Sequence, residues 1–178
     1  MPENRAVALA NSSDFTSGFA FQSFAKTALE RHFVDVRREW SSSLGATEAL
    51  RPDVHRYAPR VDIAVGPFNT SPGRASMTMG MLPPNLAQWF EGMRPNENPR
   101  CLLAIEVVYS GSAKHMLGDI LNASAIGLFG LVVCHQSKLA KVKRNREYAI
   151  QLANLGKVPA LFQNVRVVSF SEFAHAVA

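Results

Sequence analysis

The sequence predicts an α/β protein whose mixed central β-sheet is flanked by helices, and three observations carry that expectation. Phe21, Phe24, Ala25, Ala28, Leu29 and Phe33 recur at helical spacing, which predicts an amphipathic helix over about 17–36. The segment "RVDIAVG" alternates Val61, Ile63 and Val65 with Asp62, Ala64 and Gly66, the two-residue period of a strand. Residues 102–134 then read strand, helix, strand, a passage that predicts a right-handed parallel crossover.

With 178 residues, 47% of them hydrophobic and 19% charged, the chain has the balance of one globular domain that folds alone. A single domain over 1–178 is expected, with 1–14 flexible and 67–100 inserted between core strands. The longest apolar candidate, "ILNASAIGLFGLVVCH", is broken by Asn122, Gly127 and Gly130, so no membrane span is expected. The start "MPENRAVALANSSDF" lacks the basic lead and unbroken apolar stretch of a signal peptide, which predicts a cytoplasmic protein. Cys101 and Cys134 are too few for a disulfide framework or a zinc set, and read as reduced and structural. A net charge of +5 favours a polyanionic partner, nucleic acid first.

After the first helix the pattern weakens, with short extended pieces at about 36–40 and 53–57 among serines, Gly45 and Pro52. The strand at 61–65 leads into a segment rich in Pro, Gly and Asn. Within it "SMTMGML" reads as a short strand and "PNLAQWFEGM" as a short helix begun by Pro84 and Asn85. A strand at 101–109 and a helix at 113–127 follow, the latter with Met116, Leu117, Ile120, Ala123, Ser124 and Gly127 on one side. "GLVVCH" is a short buried strand and "NREYAIQLANLG" a helix closed by Gly156. "VRVVSF" is the last strand and "SEFAHAV" the last helix.

Strand parity raises a question at Glu106. Leu102, Ala104, Glu106 and Val108 share one face, so a carboxylate stands among apolar neighbours. Left unpaired there it costs several kcal/mol, so it needs a hydrogen-bonded partner, a cation or a raised pKa. Asp62 poses the same problem in the preceding strand, beside the small residues Ala64 and Gly66. Two carboxylates on adjacent strands, aimed at one space, suit a hard divalent cation such as magnesium. The structural alternative is a buried ion pair between Glu106 and an arginine such as Arg60.

At these residues the chain resembles the PD-(D/E)xK nuclease superfamily, the restriction-endonuclease-like fold. Its α-β-β-β-α-β core has the element order read here over about 17–134. The resemblance implies that Asp62 in "RVDIAV" and Glu106 in "AIEVV" bind Mg²⁺ or Mn²⁺, with the Val107 backbone carbonyl as a third ligand. It also implies a lysine that orients the attacking water. The usual position, two residues after the glutamate, holds Val108, and Lys114 stands in the following helix, where some members relocate it. An acidic or amide residue of the first helix often joins such sites, here Glu30 or Gln22, so Asp62, Glu106, Lys114 and Glu30 are the expected catalytic residues. The activity implied is metal-dependent hydrolysis of DNA phosphodiester bonds. The alternative is a degenerate nuclease fold that binds nucleic acid or protein without cutting, the reading that Val108 favours.

Other features carry paired readings. Gly111 permits a tight turn at "YSGSAKH", where Ser110 or Ser112 can cap the helix and offer its free amides to a phosphate. Lys138, Lys141, Lys143, Arg144 and Arg146 make either a phosphate-binding surface or a solvated basic loop. His115, Asp119 and Asn122, at i, i+4 and i+7, either line a nucleic-acid groove or form a solvated helix face. Met77, Met79, Met81, Trp89 and Phe90 either make a homodimer contact or pack back onto the sheet.

Overall fold

Ser17 opens the first helix: its hydroxyl accepts the Ala20 amide at 3.1 Å, and α1 runs Gly18–Leu29 with Phe21, Ala25, Ala28 and Leu29 on its buried face. The fold is that of a computed structural model, which describes residues 15–41, 59–71, 73–74, 77, 79–157 and 162–178. The helical stripe stops short of its expected end. The chain turns after Leu29 with Phe33 kept buried, so the last two turns expected of the helix are irregular, and the extended piece expected at about 36–40 is β1, Val36–Ser41. The extended piece expected near 53–57 lies outside the described residues, as does the segment 1–14.

The remaining elements are β2 (Arg60–Val65), α2 (Pro84–Ala87), β3 (Cys101–Val108), α3 (Ala113–Ile126), β4 (Gly127–Cys134), α4 (Gln136–Asn154), β5 (Val165–Ser169) and α5 (Phe170–Ala176). The strand expected around Met79 is a 3-10 turn over Met79–Met81. The basic run expected in a loop is helical, because α4 starts at Gln136 and carries it. Gly156, with φ +67°, follows the end of α4.

The strands form one mixed sheet in the order β1-β2-β3-β4-β5. β1 to β3 make an antiparallel meander, while β3, β4 and β5 run parallel. Alternate strand residues feed the two faces. Ile63, Val65, Leu103, Ile105, Leu131 and Val133 pack in one core with α1, α5 and the inserted Leu82, Leu86 and Phe90. Val108, Val132, Cys134, Val165 and Val167 pack in another under α3 and α4. The first is dominated by aromatics, with Phe21 stacked on Phe170 at 3.8 Å between ring centroids. Phe90 stacks on Phe129 at 4.8 Å, so this part of the insertion folds back onto the sheet, while Met77 stays exposed. Both cysteines are buried free thiols. No helix among the described residues is long and apolar enough to cross a membrane.

Helix α3 passes close to the sheet at Gly130 of β4. A Cβ built there falls 2.8 Å from the Ala123 carbonyl of α3 and 2.9 Å from Val165 Cγ2. Backbone on one side and a fully buried side chain on the other cannot both give way. Gly130→Ala is therefore expected to destabilise the fold by roughly 1–3 kcal/mol, measured as a lower urea midpoint at unchanged slope.

Candidate functional site

The meander brings Asp62 and Glu106 together. Its β2–β3 ladder pairs Val65 with Leu103, Ala64 with Ala104 and Ile63 with Ile105; one step further, Asp62 comes level with Glu106. There the Val107 amide donates to Asp62 Oδ2 at 2.7 Å. On the other flank of β2, Glu39 faces Asp62 with φ +48°, a left-handed conformation uncommon for a residue with a side chain. Glu39 is in turn held by Arg60, whose Nε lies 2.9 Å from Glu39 Oε2.

Helix α1 adds an amide. The Gln22 side chain hydrogen-bonds Asp62, and Gln22 Oε1 accepts from Arg38 at 3.2 Å. Helix α3 adds the stripe His115, Asp119 and Asn122. Its cap Ser112 accepts the His115 amide at 3.4 Å, while the Ser112 hydroxyl lies 3.1 Å from His115 Nδ1. From there Asp119 and Asn122 turn toward β3, and both act on Glu106.

The electrostatics are those of crowded carboxylates. Burial first, then the charges of Asp62 and Asp119, raise the pKa of Glu106 to about 9 against the opposing effect of Asn122 and the Asp62 backbone. Burial and the Asp62 charge raise Asp119 to about 6, with His115 opposing. Burial, with Glu39 adding to it, raises Asp62 against hydrogen bonds from Val107, Gln22 and Glu106. Glu106 is only 5% exposed, and its Oε1 has no hydrogen-bond partner among the described residues. The buried ion pair with Arg60 is not formed, since Arg60 pairs with Glu39.

The other expected residues lie in different places. Glu30 is exposed and pairs with Lys26 at the end of α1, two turns beyond Gln22, so the amide and not the acid reaches the cluster. Val107 contributes its amide to Asp62. Val108 is buried in the α3–α4 core, and its side chain carries no charge to the cluster. Lys114 is exposed in the first turn of α3, about 100° round the helix from His115, and makes no ion pair among the described residues. Ser110 is exposed in the turn, while Ser112 is the cap of α3. On α4 the basic run splits: Lys143 and Arg146 line a cavity at the β5 edge, whereas Lys138, Lys141 and Arg144 point elsewhere, and none of the five acts on the three acids.

The donor set consists of hard carboxylate oxygens, those of Asp62 and Glu106 and, from α3, that of Asp119, while the Gln22 oxygen is taken by Arg38. Among the described residues no three His, Cys, Asp or Glu side chains are gathered into a ready-made metal cage. Mg²⁺ does not require one, because it keeps several waters and takes one or two carboxylates. The orphaned Glu106 oxygen beside Asp62 fits such an ion. The chain matches no protein-family model, no curated protein and no solved structure.

Proposed function

We propose that the chain is a Mg²⁺- or Mn²⁺-dependent nuclease of restriction-endonuclease-like fold that hydrolyses DNA phosphodiester bonds at the Asp62–Glu106 cluster. The observation that carries this reading is the buried, unpartnered Glu106 oxygen opposite Asp62, at the centre of acids that repel one another until a cation joins them. The element order α1-β1-β2-β3-α3-β4, with antiparallel then parallel pairing, supports it.

Asp62 and Glu106 would hold the ion, with Gln22 and Asn122 setting the carboxylate orientations and the Val107 amide fixing Asp62. A bound divalent ion supplies positive charge for the phosphate and lowers the pKa of its water toward ~7. Water attacks phosphorus, the bond to the leaving sugar oxygen breaks, and that oxygen takes up a proton. Accepting the proton of the water falls to the first turn of α3. His115 is the group there that senses Asp119, so His115→Ala is expected to slow cleavage about 10²–10⁴-fold and Lys114→Ala less than tenfold. The reverse order in single-turnover rates would restore the displaced lysine.

Burial of Val108 favours the second reading, a fold that binds nucleic acid and has lost the chemistry. Plasmid and short-duplex cleavage with Mg²⁺, Mn²⁺ or EDTA separates the two. Metal-dependent nicking that Asp62→Ala and Glu106→Ala both abolish is the result expected. A folded protein that binds DNA and cuts nothing establishes the second reading.

A further inference from the structure

Away from the carboxylates, a cavity of about 270 Å³ lies at β5, the last strand of the sheet among the described residues. Lys143 and Arg146 of α4, Arg166 of β5, and Trp89 and Met93 of the insertion line it, together with Glu147 and Glu172. Arg146 is the fixed point. Its Nε donates to the Val165 carbonyl at 2.6 Å, which anchors the guanidinium on the strand and leaves its two terminal nitrogens without a partner among the described residues. It is half-buried; burial and the charge of Arg166 weigh against its protonated form, and the charge of Glu147 favours it. Lys143 and Arg166 are exposed and make no ion pair among the described residues. Of the two acids, Glu172 is engaged by the Ser169 amide at 2.6 Å in the capping box of α5, and its charge also acts on Lys143 and Arg166.

Three cations against two acids leave the lining net positive, and the anchored, partly desolvated Arg146 with its two unpartnered terminal nitrogens leaves a place for an anion. The half-buried indole of Trp89 gives that place an apolar wall. We infer that this cavity binds a phosphate ester, the phosphate on Arg146, Arg166 and Lys143 and the organic part against Trp89. Arginine suits the role through its paired donors. The size lies just below the ~300–1,000 Å³ of small-molecule sites, which fits a phosphate with one attached group. The ester is either a free nucleotide or one link of a strand. The inference stands on the cavity alone and is independent of the chemistry proposed for Asp62 and Glu106.

The chain has two tryptophans, so Trp40→Phe makes Trp89 the sole indole reporter. In EDTA, which leaves the carboxylate cluster without metal, this full-length variant is titrated with inorganic phosphate, adenosine 5′-monophosphate and a five-nucleotide single strand, with chloride at matched ionic strength as control. Saturable quenching by the phosphate compounds is expected. Arg166→Ala and Lys143→Ala, both exposed and so neutral to folding, should each weaken binding about tenfold, and Lys141→Ala should not. Equal affinity for nucleotide and strand identifies a free ester as the ligand; tenfold preference for the strand identifies its backbone. No saturation, an equal response to chloride, or equal weakening by Lys141→Ala overturns the proposal.

Discussion

Glu106→Gln is expected to make the metal-free protein more stable at pH 8.5 by about 2–4 kcal/mol, while eliminating metal-dependent cleavage. The sign follows from linkage. In the fold Glu106 titrates at about 9, and in the unfolded chain near 4.5. Between those values the folded state keeps a proton that the unfolded state has released, so stability is complete below pH 4.5 and drains away as pH rises toward 9. Glutamine has the shape of the protonated acid and never ionises, so it removes that loss. In a chain of this size the gain is a rise of roughly 5–10 °C in melting temperature at pH 8.5, vanishing near pH 4.5. A buried ion pair predicts the opposite, a loss of ~3–5 kcal/mol at neutral pH. Melting curves of the two proteins in EDTA at pH 4.5 and 8.5 decide between them.

Asp62 and Glu106 were legible because strand parity is a short-range signal: a carboxylate on the buried side of a two-residue alternation is conspicuous without any tertiary information. Their partners were not legible in the same way. His115, Asp119 and Asn122 form a stripe that a solvated helix would also show, and only the packing of α3 on β3 decides which it is. Gln22 and Glu30 were equivalent candidates on one helix. The register of α1 against β2 selects Gln22, while Glu30 goes to Lys26. The same limit applies to the elements. Phe33 stands at helical spacing from Leu29, yet the chain leaves the helix and buries that ring from a turn. Helix α4 was visible only from Asn145, because its earlier turns bury Val142 alone behind a run of lysines and arginines. A basic run says that a surface is charged; whether it is helix or loop rests on one apolar residue per two turns.

The pKa pattern of the carboxylate cluster also fixes how metal affinity must depend on pH. A divalent ion binds the carboxylate form of Glu106, and below pH 9 it must displace the proton held there. Each unit of acidification then costs a factor of ten, so the apparent Kd for Mn²⁺ is expected to fall about 100-fold from pH 6 to pH 8. Asp119, at about 6, steepens the dependence below that value if it too faces the ion. Calorimetry in two buffers of different ionisation enthalpy should count about one proton released per ion at pH 7.5. Glu106→Gln should lose that proton, and with it the slope. Stability must answer in the same direction, because an ion that binds only the fold raises the melting temperature more at pH 8 than at pH 6, opposite to the trend without metal. An affinity that is flat across this range would mean that the ion does not meet Glu106, and the cluster would then be an unpaired acid pocket with no ligand to justify its cost.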